Sequence, residues 1–174
     1  MVLAPPKQAL KDPFSVAVAF LAVRSYSVAE LKQRLRRKGF SATAIDETIA
    51  KLKGLRFLDD RRLAEQYASS LARNRAFGRF RVERELKARR LDPRQIEPAL
   101  NVAFEENDEK ALLERALDKK IQGLRFPVTR ARLASLYASL RRRGFRIDDI
   151  IKAVRARPEL EPVAGEAEFD SLEE

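Results

Sequence analysis

The side chains left for chemistry are carboxylates and cations, because the 174-residue sequence contains neither His nor Cys. That double absence removes thiolate nucleophiles, disulfides, zinc sites of the usual kind and every imidazole acid or base. No Gly-x-x-x-x-Gly-Lys phosphate loop is present either, and the six glycines are scattered toward element ends, so nucleotide hydrolysis by this chain is not expected. Two Asp-Asp pairs stand out, Asp59-Asp60 and Asp148-Asp149. Neighbouring carboxylates can hold magnesium or share a proton. Asp59-Asp60, however, precedes Leu63, Ala64 and Tyr67 at helical spacing, and Asp148-Asp149 has a similar early-helix place, so helix capping with a favourable dipole charge is the simpler role. No catalytic residue, metal ligand or cofactor is assigned, and metal-dependent turnover would be the sign of an enzyme such as a nuclease.

Cations offer more. Lys and Arg outnumber Asp and Glu by 36 to 26, and residues 159–174 hold seven of the acidic residues and no basic one, which leaves residues 1–158 at +17. A body this basic fits a polyanion such as nucleic acid, or a nucleoprotein. The charge is clustered. Arg34, Arg36, Arg37 and Lys38 form one group, Arg79, Arg81, Arg84, Lys87, Arg89 and Arg90 a second, and Arg141, Arg142, Arg143 and Arg146 a third. Cations oppose the dipole at a helix C-terminus, but that accounts for one or two per helix and not four.

The elements that carry these clusters repeat. Leu31, Leu35, Ile45, Ile49 and Leu52 follow helical spacing, interrupted by Gly39-Phe40-Ser41, which reads as a C-cap, a buried aromatic and a new N-cap. A shift of 51 brings Val82, Leu86, Leu91, Asp92, Ile96 and Leu100 into the same pattern, with Asp92 capping and Pro93 at the first helical position; a further 54 brings Leu136, Leu140, Gly144, Phe145, Ile150 and Val154. Each pair is preceded by a helical stretch, Phe14 to Arg24, Asp60 to Arg75 and Asp108 to Gln122. The sequence therefore predicts an all-α fold of three tandem three-helix bundle repeats, residues 13–54, 55–105 and 106–157, stacked into an elongated, curved rod. Residues 1–12 are expected to be a flexible arm, and residues 158–174 an acidic disordered tail. Pro98 falls inside a helix, where it is expected to kink or shorten it. The apolar run Val16 to Val23 is too short to span a membrane and lacks a convincing cleavage site, so it is read as a buried helix.

A tight turn before a last helix invites comparison with helix-turn-helix readers. The third helices start with Asp46 and Glu47, with Glu97, or with Asp148 and Asp149, which disfavours base-edge readout in a groove. Phe40, Phe57, Tyr67, Phe104, Tyr137 and Phe145 fall where core residues are wanted. Phe77 and Phe80, flanked by Arg75, Arg79 and Arg81, are the aromatics left for stacking on bases, on a partner or between modules.

The stretch from Gly54 to Tyr67, with Leu55, Phe57, Leu58, Asp59, Asp60, Arg62, Leu63 and Ala64, resembles a pattern of the RecX family, a short apolar turn leading into an Asp-Asp-x-Arg-Phe/Leu-Ala helix that ends in an aromatic. Phe77-Gly78-Arg79 through Glu85-Leu86 resembles that family's Tyr-Gly, basic, Ile, Glu-Leu segment. The resemblance runs from about Pro13 to Arg155. It includes Ala29-Glu30-Leu31, Lys38-Gly39-Phe40 and Arg143-Gly144-Phe145. Arg90 stands where the family usually has Gly, and the acidic tail lies outside the pattern. The resemblance implies three tandem three-helix repeats and a regulator that binds RecA filaments on DNA and lowers their ATP hydrolysis, strand exchange and co-protease activity. It assigns Asp59, Asp60, Arg62, Tyr67, Gly78 and Glu85 to the structural motif. The candidates for RecA or DNA contact are Arg34, Arg36, Arg37, Lys38, Arg79, Arg81, Arg84, Lys87, Arg89, Arg141, Arg142 and Arg143.

The expected partners are thus the RecA filament and single- or double-stranded DNA bound with sequence tolerance. The protein is expected to act as a monomer in the cytoplasm, with no membrane association. The chief rival is an independent DNA-binding protein whose basic helix faces meet phosphates directly. The acidic tail, by its opposite charge, is expected to fold over the basic body and weaken non-specific binding.

Overall fold

A computed structural model describes residues 12–161 of the chain. The described residues form nine α-helices and no strand: α1 (Pro13–Val23), α2 (Val28–Arg37), α3 (Ala42–Gly54), α4 (Asp60–Arg75), α5 (Arg79–Ala88), α6 (Pro93–Glu106), α7 (Glu109–Ile121), α8 (Arg130–Arg142) and α9 (Ile147–Arg155). The order is three successive sets of three helices, as periodicity predicts. The helix starts follow local capping chemistry. Ser27 accepts from the Glu30 amide while Glu30 accepts from the Ser27 amide, a complete capping box. Ser41, Asp108 and Thr129 cap α3, α7 and α8 through their side chains.

The chain divides into two compact units, Met1–Ala64 with Leu86–Ile96, and Glu65–Glu85 with Glu97–Glu174. The boundary falls within α4, α5 and α6. In the first unit Ala17, Tyr26, Leu31, Leu35, Ile45, Ile49, Leu52 and Leu58 form a core, with Phe14, Phe20 and Phe40 packed on its edge. In the second, a core built on the segment from α7 to α9, including Leu113, Leu117, Leu140, Phe145 and Ile150, takes in Ala72 of α4 and Ala76 just after it. Burying such Leu and Ile side chains stabilises by roughly 1.5–3 kcal/mol each.

Several expectations need correction. α1 is not a buried helix: only Ala17 is buried, and Val23 is 82% exposed. Its apolar residues run all round the helix, so periodicity could not say which side faces inward. Phe57 is not a core residue but 59% exposed, and its neighbour Leu55 is 51% exposed; Leu58 takes the buried place instead, and Tyr26 is a buried aromatic that spacing did not single out. Pro98 does not shorten α6, which continues to Glu106; the proline sits on the exposed side. Residues Pro158–Leu160, grouped by sequence with the acidic tail, form a 3-10 helix whose Leu160 is buried in the core of the second unit. Arg157 fastens this segment to Glu114 and Asp118 of α7 at 2.9 and 2.7 Å. Residues 1–11 of the arm and 162–174 of the tail lie outside the described residues.

Candidate functional site

The second helix of each set ends in a residue with left-handed backbone, followed by a large apolar side chain. Gly39 has φ 88°, Arg90 φ 56° and Gly144 φ 91°. The amides of Phe40 and Leu91 reach back to the carbonyls of Leu35 and Leu86, closing the helix ends. The predicted cations cluster around these corners, and the structure sorts them into two kinds.

Some are consumed by the fold. In the first unit the Arg89 guanidinium donates to the Ser25 carbonyl at 2.6 Å and to Glu30 at 3.2 Å, while its carbonyl accepts from the fully buried Ser27 hydroxyl at 2.6 Å. Arg89 thus closes the capping box at the start of α2. Arg34 lies over the rings of Tyr26 and Phe20, 4.9 and 5.4 Å from their centroids. In the second unit Arg79 donates to Glu97 at 2.6 Å and Asn101 at 2.8 Å, and its amide donates to Glu109. Arg143 donates to the carbonyl of Arg75 at 2.7 Å. Arg81 pairs with Glu85 at 2.6 Å and lies over Phe77, and Arg84 reaches the Arg142 carbonyl at 3.3 Å. Lys87 is exposed but not without a partner.

Others point outward. Arg36, Arg37 and Lys38 at the first corner, Arg90 at the second, and Arg141, Arg142 and Arg146 at the third are exposed, and among the described residues their side chains make no hydrogen bond or ion pair. Arg36 is close enough to Asp46 to help Lys32 hold that carboxyl below its ordinary value; the hydrogen bond from Lys32, at 2.7 Å, is the larger cause. Arg90 and Arg146 fell outside the predicted contact set. Their signal was compositional, membership of the second and third basic groups, since Arg90 stands where the other corners carry Gly39 and Gly144.

The acidic motif residues serve the backbone. Asp59 accepts from the Arg62 amide at 3.0 Å and so caps α4. Asp60, half-buried, accepts from the Val28 amide at 2.9 Å and ties the start of α4 to the start of α2. Burial raises its carboxyl above the usual value, against the lowering effect of that amide and of Lys53. Among the described residues no group of three or more Asp and Glu could hold a metal ion. Gly78 is fixed by proximity: its amide donates to the Arg143 carbonyl at 2.9 Å, and a Cβ there would stand 2.6 Å from the Gly144 carbonyl oxygen. Tyr67 and Glu85 line a cleft beside α4 and α5.

Family models match this chain twice, the first three-helix domain of RecX over residues 14–52 and the second over residues 59–100. A protein of Pelodictyon phaeoclathratiforme named regulatory protein RecX is 33% identical over 139 residues, covering 80% of this chain and 84% of its own length. The chain belongs to the RecX family. The regulatory protein RecX of Chlorobaculum tepidum is 32% identical over the same shares. That of Bacillus velezensis is 33% identical over 168 residues, 94% of this chain but 61% of the longer relative. The RecX fold is shared with two crystal structures. One, RecX from Lactobacillus salivarius, has a TM-score of 0.63 at 20% identity over 84% of this chain and 95% of that one. The other, titled regulatory protein RecX, has a TM-score of 0.71 at 16% identity over 87% and 80%. The chain is therefore an all-helical RecX-family regulatory protein, and no helix among the described residues is long and apolar enough to cross a membrane.

Proposed function

We propose that this RecX-family protein binds RecA filaments on DNA, as a cytoplasmic monomer, and lowers their ATP hydrolysis, strand exchange and co-protease activity. The observation that carries the reading is the sorting of cations at the three corners. Arg36, Arg37 and Lys38, Arg90, and Arg141, Arg142 and Arg146 remain exposed and, among the described residues, unpaired, whereas Arg79, Arg89 and Arg143 are spent on carboxylates and carbonyls of the fold. Exposed cations that recur at equivalent positions, Arg36 and Arg37 in the first set and Arg141 and Arg142 in the third, suit a partner that is itself repetitive and anionic, because several weak contacts then act as one. At the helix corners, the outward cations rather than the absorbed ones are assigned to contact. RecA ATPase on single-stranded DNA, measured with and without this protein beside its RecA-free DNA binding at the same salt, tests the reading. Inhibition where bare DNA is not detectably bound supports it; no effect on RecA contradicts it.

The same exposed cations also suit a sequence-tolerant DNA binder acting alone. That reading predicts a steep loss of DNA affinity with salt and no dependence on RecA.

A further inference from the structure

The second unit contains a cleft of about 440 Å³ between the latter part of α4 and the start of α5, within the about 300–1,000 Å³ of small-ligand sites. Its lining is unlike that of the outward corners. Tyr67, Asn74 and Arg75 come from α4, Phe77 from the turn, and Arg81 and Glu85 from α5. The Arg81 guanidinium is held in place twice, by Glu85 at 2.6 Å and by the Phe77 ring 5.3 Å from its centroid. Its Nε is shielded from solvent without a hydrogen-bond partner among the described residues. Arg75 is exposed, and the Arg143 guanidinium holds its carbonyl at 2.7 Å. Its backbone is thus fixed, while its own guanidinium is unpaired among the described residues.

We infer that this cleft is a site for one unpaired nucleobase of single-stranded DNA, stacked on the Arg81–Phe77 platform, with Arg75 meeting the adjoining phosphate. Aromatic rings and guanidinium planes are the surfaces on which unpaired bases stack, and both are present and mutually supported here. Glu85 decides between occupants. Paired with Arg81, its carboxylate still has lone pairs to accept from the N–H edge that every base carries, whereas an ionised acidic side chain from a protein partner has no donor to offer it. An acidic side chain would also leave most of the volume unfilled. Because stacking is sequence-tolerant, no base preference is expected.

The inference deepens the filament reading by naming which part of the DNA is touched, and it is tested without RecA. Binding of a short labelled single-stranded oligonucleotide at low salt is compared with that of an abasic oligonucleotide carrying the same number of phosphates. The wild-type protein should prefer the base-bearing strand by about tenfold. Phe77→Leu should abolish that preference with little change in salt dependence, and Arg75→Ala should weaken both strands and reduce the salt slope by about one. If Phe77→Leu does not fold, Arg75→Ala together with the abasic comparison decides. Equal binding of the two strands by the wild-type protein overturns the inference, as does a wild-type response in both variants. Equal binding beside RecA inhibition sinks the cleft alone; a clear preference with no effect on RecA sinks the filament reading alone.

Discussion

The first and third corners share one sequence signature, Lys38-Gly39-Phe40 and Arg143-Gly144-Phe145, and nearly one backbone, φ 88° and 91°, yet their surroundings are opposite. Around Gly39 an added Cβ would meet nothing within 4 Å, whereas at Gly144 it would stand 2.1 Å from the Arg81 amide nitrogen. Lys38 points to solvent without a partner among the described residues, while Arg143 clamps the end of α4 through the Arg75 carbonyl. Phe40 is half-buried at the edge of its core and Phe145 is buried within its own. A repeat unit fixes the local turn, because the left-handed cap is a property of a few consecutive residues. It does not fix what the turn meets, which depends on residues far away in sequence.

Five substitutions bear on this contrast. Gly144→Ala combines a disfavoured φ with a backbone collision that no side-chain rotation relieves, and should cost about 3 kcal/mol or more in urea unfolding; a loss no larger than that at Gly39 would dissolve the distinction. Arg143→Met keeps the aliphatic stem but withdraws the donor from the Arg75 carbonyl. A loss of about 1–3 kcal/mol is expected, whereas Lys38→Met should leave the midpoint nearly unmoved. Gly39→Ala has room and pays only for its backbone, about 1 kcal/mol. Opposite in sign is Arg90→Gly: relief of the left-handed arginine, offset by the greater freedom of glycine in the unfolded chain, should stabilise by about 0.5 kcal/mol. A thermal midpoint lower than that of the wild type would show that the Arg90 side chain has a stabilising contact.

Much of the fold was legible because helix signals are local. α4 spans the predicted Asp60 to Arg75, Asp92 and Pro93 open α6, and Gly39 and Gly144 end their helices. Misreadings arose where local pattern carries no direction. α1 is apolar on every side, so its exposure could not be read, and Phe57 lies in a non-periodic turn that exposes it while burying Leu58. The departure at Arg90 was visible as an anomaly, but its meaning, a non-glycine residue held at φ 56°, appears only in the backbone. The candidate site divides the same way. Clustering of cations was plain, but Lys38, Arg89 and Arg143 occupy equivalent positions with three fates, one exposed, one on Glu30 and Ser25, one on the end of α4. Partners 59 to 68 positions away leave no trace in a window of helical periodicity.

Engagement of the RecA filament by the outward corner cations is read by titrating RecA's DNA-dependent ATPase with the wild-type protein and with a folded Arg141→Gln, Arg142→Gln, Arg146→Gln variant. The wild type should slow hydrolysis, and about tenfold more of the variant should be needed for the same effect. Equal inhibition by both proteins would contradict it.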